Sequence, residues 1–162
     1  MKNDTDSLRS LSVEWSDPRE LAETGRSMPG IEFLRAMRDG KLPHPPICAL
    51  LGYRLVEVEP GYAAFEITVG EQHYNPIGVV HGGIAMTLLD SAMGCAVQTT
   101  MPAGGGYTTL EAKTNLVRAV TSGTKLRAIG KVVHVGKRVA TAEARLEDAA
   151  RKLYAHATTT CI

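Results

Sequence analysis

Apolar residues run almost without a break over positions 84–97, and the one ionisable side chain among them is Asp90. The polar loop Asn75-Pro-Ile-Gly-Val-Val-His81-Gly82-Gly83 stands directly before that run. The pattern predicts one helix that is hydrophobic on nearly every side and therefore buried. Elsewhere period two dominates. Residues 51–59 and 62–69 flank Pro60-Gly61, a hairpin signal, and the second stretch alternates Ala63, Phe65, Ile67 and Val69 with Tyr62, Ala64, Glu66 and Thr68. Beyond the breaker Pro102-Ala-Gly-Gly-Gly106, four more strands are expected at about 107–118, 124–135, 137–148 and 151–161.

The chain ahead of the hairpin is less regular. Residues 1 to about 27 are polar, with isolated apolar side chains at Leu8, Leu11, Val13 and Trp15, and read as an extension that is partly disordered or docked late. Ile31, Leu34 and Met37 have helical spacing over 31–39, stopped by Gly40. Pro43, Pro45 and Pro46 then predict an extended linker. The division is residues 1–46 as an N-terminal extension with a short helix and 47–162 as the main domain, with no internal repeat.

Two strands, one long helix and a four-strand meander make an α+β domain in which the helix covers the apolar face of an antiparallel sheet. One helix cannot cover six strands on both flanks, so pairing of two such sheets edge to edge, as a dimer, is expected.

A length of 162 residues suits one domain, and 44% hydrophobic with 22% charged residues is ordinary globular composition. A net charge of +1, from 18 basic and 17 acidic residues, argues against nucleic acid as a partner. Cys48, Cys95 and Cys161 lie in apolar surroundings and read as free thiols in a reducing cytoplasm. No uncharged apolar run approaches the ~18 residues of a membrane span, and the opening at 1–7 is polar and acidic, unlike a signal peptide. A cytoplasmic protein with no membrane association is expected.

Candidate chemistry gathers at the helix mouth. A helix N-terminus presents unpaired amides and a partial positive charge. Gly82 and Gly83 would let a ligand carbonyl approach those amides, an arrangement suited to stabilising an oxyanion; a tight turn that needs glycine is the plainer explanation. Asp90 follows His81 by nine residues, about 900° of rotation and ~13 Å of rise. The two project from opposite sides of the helix, so a site using both takes one from each of two subunits. Otherwise Asp90 is a buried aspartate bonded to Thr87 or to nearby amides. Alternation along 107–118 puts Thr108 on the helix-facing side with Leu110, Ala112, Thr114 and Leu116, its hydroxyl placed to hold a water or to be an ordinary strand threonine. Val135-Gly136-Lys137-Arg138 forms a basic turn, either a phosphate or pantetheine grip or a solvated hairpin. No ligand spacing suggests a metal, and neither a nucleophile elbow nor a phosphate loop is present.

Asn75…His81-Gly82-Gly83…Leu88-Leu89-Asp90, then Tyr107-Thr108-Thr109-Leu110 and Gly136-Lys137-Arg138, resembles the hotdog-fold acyl-CoA thioesterases, in particular the phenylacetate-degradation (PaaI-like) branch. The resemblance covers about residues 47–161. It implies an antiparallel sheet of about six strands wrapped around one central helix, and homodimers or dimer-of-dimers homotetramers. It also implies hydrolysis of an acyl-CoA thioester, with coenzyme A as part of the substrate and no cofactor. Carried over by position, the Gly82 amide would polarise the thioester carbonyl, and His81 would shape the loop beside Gly83 and approach the leaving sulfur. Asp90 of the partner subunit would be general base or nucleophile. Thr108 would aid the water, Asn75 would position the water or Asp90, and Val135, Gly136, Lys137 and Arg138 would contact coenzyme A. Met86 and Met93 would line part of the acyl pocket. Hotdog hydratases carry an Asp and a His about five residues apart. The spacing of nine with Gly-Gly between favours the thioesterase over an enoyl-CoA hydratase, and a non-catalytic acyl-CoA or aromatic-ligand binding protein is the contrasting reading.

Overall fold

The computed structural model describes residues 8–162; the opening at 1–7, and the reading of it as no signal peptide, lie outside the described residues. Helix α4 (Gly82–Gln98) buries Ala85, Leu88, Leu89, Ala92, Met93, Ala96 and Val97. It lies on one antiparallel sheet of β1 (Tyr53–Glu59), β2 (Tyr62–Thr68), β3 (Thr109–Leu116), β4 (Lys125–Val135), β5 (Ala140–Glu147) and β6 (Leu153–Cys161), in the order β1-β2-β4-β5-β6-β3. This is the hotdog architecture that the resemblance implied.

Small residues let helix and sheet approach closely. The inner row of β5 is Ala140, Ala142, Ala144 and Leu146, all buried. On β4, a Cβ at Gly130 would stand 2.1 Å from the Ala92 carbonyl oxygen, so backbone meets backbone where only glycine fits.

The strand order corrects the expected meander. β4, β5 and β6 are joined by short turns and pair in sequence, but β3 pairs with β6 at the far edge while β4 pairs with β2. Period-two patterning reports that a strand exists and which face is apolar; it carries no information about its neighbour.

The N-terminal region is more ordered than its polarity suggests. Helix α1 (Pro18–Ser27) starts where Asp17 accepts a hydrogen bond from the Arg19 amide at 2.8 Å, and it buries Leu21. Helix α2 (Gly30–Arg38) buries Leu34 and Met37 as their spacing predicts. Pro46 opens a short helix α3 (Pro46–Leu51) instead of extending the linker, since a proline ring suits the first helical turn. Leu51 therefore belongs to α3, and left-handed Gly52 (φ +70°) turns the chain into β1. Leu21, Leu34, Met37 and Cys48 join the same buried cluster as α4. Among the described residues no helix is long and apolar enough to cross a membrane, and all three cysteines are free.

Candidate active site

The loop entering α4 is folded by its own polar groups. The Asn75 side-chain oxygen accepts from the amides of Ile77 (3.1 Å) and Val79 (3.3 Å), and the Asn75 amide donates to Val79 O at 2.8 Å. Buried His73, which the sequence reading passed over, anchors the loop: its carbonyl accepts from the His81 amide at 2.8 Å and its Nδ1 from the Gly70 amide at 3.0 Å. Its short strand-to-helix neighbourhood carries no motif that would have singled it out.

His81 caps α4 with its side chain, Nδ1 accepting from the Gly83 amide at 2.8 Å. An accepting Nδ1 leaves the ring proton of neutral His81 on Nε2. A Cβ at Gly83 would sit 2.9 Å from that Nδ1, so the second glycine is what seats the ring. The Gly82 amide has no acceptor among the described residues. It is a free donor at the positive end of a helix, and with Asn75, His81, Leu116 and Arg118 it borders a cavity of about 280 Å³.

Asp90 is exposed, not buried. Thr87 bonds back to Gly83 O at 3.0 Å, and Asp90 Oδ1 instead accepts from Thr109 Oγ1 at 3.2 Å. This corrects the expectation for Thr108, which is exposed and ties the edge through paired backbone bonds with Ile162. The register shifts between Thr109 and Glu111: Thr109 faces buried Cys161, while Ala112 and Thr114 face buried Thr159 and Ala157. The bulge at Leu110 inserts one residue, so the inward-facing parity changes from even to odd before it.

Asp90 and Thr109 stand at a second cavity of about 490 Å³, walled by Leu21, Phe33, Met37, Phe65, Cys95 and Tyr107. Its polar groups include the Tyr53 hydroxyl, 3.0 Å from Ser91 Oγ. Burial pushes the Cys95 thiol up to about 12 and the Cys48 thiol up to about 11, and raises both Tyr53 and Tyr107. The chamber's thiols are thus protonated near neutrality and are not nucleophiles. Met86 and Met93 do not line it: Met93 is on the fully buried side of α4 and Met86 is 47% exposed. Val135, Gly136, Lys137 and Arg138 border a third cavity of about 280 Å³, with Tyr107 as a wall common to it and the chamber.

Within one chain the free Gly82 amide and the Asp90 carboxylate open into different cavities, eight residues or ~12 Å apart along the helix. Beside them α4 leaves a bare stripe at Met86 and Asp90, flanked by edge strand β3 with Leu110 65% and Leu116 51% exposed.

The family model of the thioesterase superfamily matches residues 77–155. A protein of Archaeoglobus fulgidus named "Putative esterase" is 30% identical over 124 residues, 76% of this chain and 79% of that protein. The 1,4-dihydroxy-2-naphthoyl-CoA hydrolase of Listeria monocytogenes is 26% identical over 103 residues, 64% of this chain and 83% of that one. The crystal structure of a phenylacetic acid degradation-related protein from Ralstonia eutropha JMP134 superposes with a TM-score of 0.72 at 27% identity, covering 79% of this chain and 97% of that one.

Proposed function

The chain belongs to the thioesterase superfamily, and from that premise we propose that it hydrolyses the thioester of an acyl-CoA to free acid and coenzyme A. The observation that carries this reading is the free Gly82 amide at the mouth of α4, held open by the His81 cap. In a second copy of the chain packed against the bare stripe of α4 and the edge of β3, Asp90 of one subunit would stand across from the Gly82 mouth of the other.

The thioester carbonyl oxygen accepts from the Gly82 N–H, which stabilises negative charge as it develops. The Asp90 carboxylate, steadied by Thr109, takes a proton from water as it attacks, or attacks the carbonyl carbon itself. The carbon–sulfur bond then breaks, and the departing thiolate accepts a hydrogen bond from His81 Nε2–H; the proton held by Asp90 passes to the sulfur, or, where Asp90 itself has attacked, water hydrolyses the acyl–Asp90 anhydride, which frees the acid, regenerates the carboxylate and supplies that proton. Asn75 keeps its loop in shape and borders the same cavity as Gly82, where it would position the water or Asp90 of the other subunit. Lys137 and Arg138 supply charge for phosphates of coenzyme A, with Val135 and Gly136 forming the turn that presents them. Free thiols and an unremarkable net charge suit a cytoplasmic enzyme acting on a small soluble substrate.

Free-thiol release from a panel of aryl- and alkyl-CoA thioesters tests the proposal, with Asp90→Asn run in parallel. The parent is expected to release thiol and the variant to lose about 10² to 10⁴ in kcat, the range of general acid–base catalysis. Full activity in Asp90→Asn would remove Asp90 from the mechanism. Acyl-CoA bound and never cleaved by the parent would make the protein a binding module.

A further inference from the structure

The chamber beside Asp90 is built largely by residues ahead of the family-matched segment 77–155. The chamber follows α4 from Asp90 through Ser91, Gly94 and Cys95 to Gln98. Those positions share one helix face, and eight residues at 1.5 Å span ~12 Å. Across from it lies one face of α1, presenting Leu21, Ala22 and Gly25 at i, i+3-type spacing, together with Phe33 and Met37 of α2.

At the end near Gln98 the elements are joined backbone to backbone. The Gly30 amide donates to Met101 O at 3.0 Å and the Gly104 amide to Arg26 O at 2.9 Å. A Cβ at Gly30 would stand 1.9 Å from the Gln98 carbonyl oxygen, so α2 begins in direct contact with the end of α4. The Phe33 ring rests against Gly25, where a Cβ would come within 3.1 Å of it, so the ring cannot retreat toward α1.

We infer that α1 and α2 form the end wall of the acyl site, that Phe33 sets its depth, and that the substrates carry acyl groups of medium length, aliphatic or aryl-tipped, rather than long fatty chains. The inference rests on the thioesterase reading. An extended chain advances ~3.3–3.6 Å per three bonds, so ~12 Å accommodates about ten bonds. A chamber of about 490 Å³ lies within the ~300–1,000 Å³ of ordinary ligand pockets. Palmitoyl exceeds that length by about half.

The test is kcat/KM for thiol release from butyryl-, octanoyl- and palmitoyl-CoA, using the full chain, Phe33→Ala and Phe33→Trp. Ratios between substrates on one preparation do not depend on the fraction folded. The parent should prefer octanoyl to palmitoyl by about tenfold or more, Phe33→Ala should raise the palmitoyl-to-octanoyl ratio by about tenfold, and Phe33→Trp should lower the octanoyl-to-butyryl ratio by a similar factor. A parent that cleaves palmitoyl as fast as octanoyl, or ratios unmoved in both variants, overturns the assignment of Phe33 and the end wall while leaving the thioesterase reading intact. A parent silent on every CoA thioester overturns that reading, and this inference with it.

Discussion

Cys95 and Cys48 are thiols in an apolar wall, and their chemistry is set by where they are buried. The neutral thiol loses little on leaving water whereas the thiolate loses much, so burial raises Cys95 from the usual 9.0 to about 12 and Cys48 to about 11. Below about pH 9 the thiols are protonated in folded and unfolded chains alike and do not affect stability. Between about 9 and 12 the unfolded chain releases thiol protons that the folded chain retains, so stability falls as pH rises. The urea midpoint should decline above about pH 9, with a shallower decline in Cys95→Ala. An identical slope in that variant would assign the alkaline loss to other groups. The sequence shows cysteines in apolar runs and predicts free thiols; that two of them line one chamber with Tyr53 and Tyr107 depends on contacts between distant segments.

At the scale of elements, β3 shows how one residue redirects a site. Its alternation is plain in the sequence, and Ala112, Thr114 and Leu116 do pair with the buried row Thr159, Ala157 and Ala155 of β6. The extra residue at Leu110 changes the parity, so Thr109 reaches Asp90 and Thr108 does not. Thr109→Val should therefore lower kcat about tenfold, equivalent to ~1.4 kcal/mol, whereas Thr108→Val should change it less than about twofold. Steady-state thiol release decides it, and the reverse ranking would return the role to Thr108. Bulges arise from edge position and local twist rather than residue type, which is why no signal in 107–116 announces this one. The opposite holds for α4. Its existence and its glycine mouth follow from local rules, the structure lengthening the expected 84–97 run to Gly82–Gln98, whereas the His81 side-chain cap on Gly83 appears only in the structure.

For the whole molecule the decisive fact is the separation of Gly82 from Asp90 into two cavities. The exposed stripe on α4 and the uncovered edge of β3 invite a second copy, since an open strand edge beside apolar side chains is a natural pairing surface. Met86→Glu places a charge in that stripe without touching either half of the site. Sedimentation should show loss of the dimer, and thiol release should fall in parallel, by about 10²-fold or more at protein concentrations where only monomer remains. A fully active monomer would mean that each chain completes its own site.

Helical and strand periods, glycine at the helix mouth and a lone carboxylate in an apolar helix are local properties, and so the sequence by itself determined the six strands, the central helix, the α2 segment and the residues His81, Gly82 and Asp90. Strand order, the phase of β3 at Thr109, the docking of α1 and the extent of the chamber beside Asp90 were decided only in the tertiary structure. Each depends on which distant surface a segment meets: β6 for β3, α4 for the amino end of α2, and the 101–105 loop for the end of α1. A side chain's own chemistry does not encode its neighbour across the fold, and the neighbours are what turn an exposed aspartate into one end of a chamber.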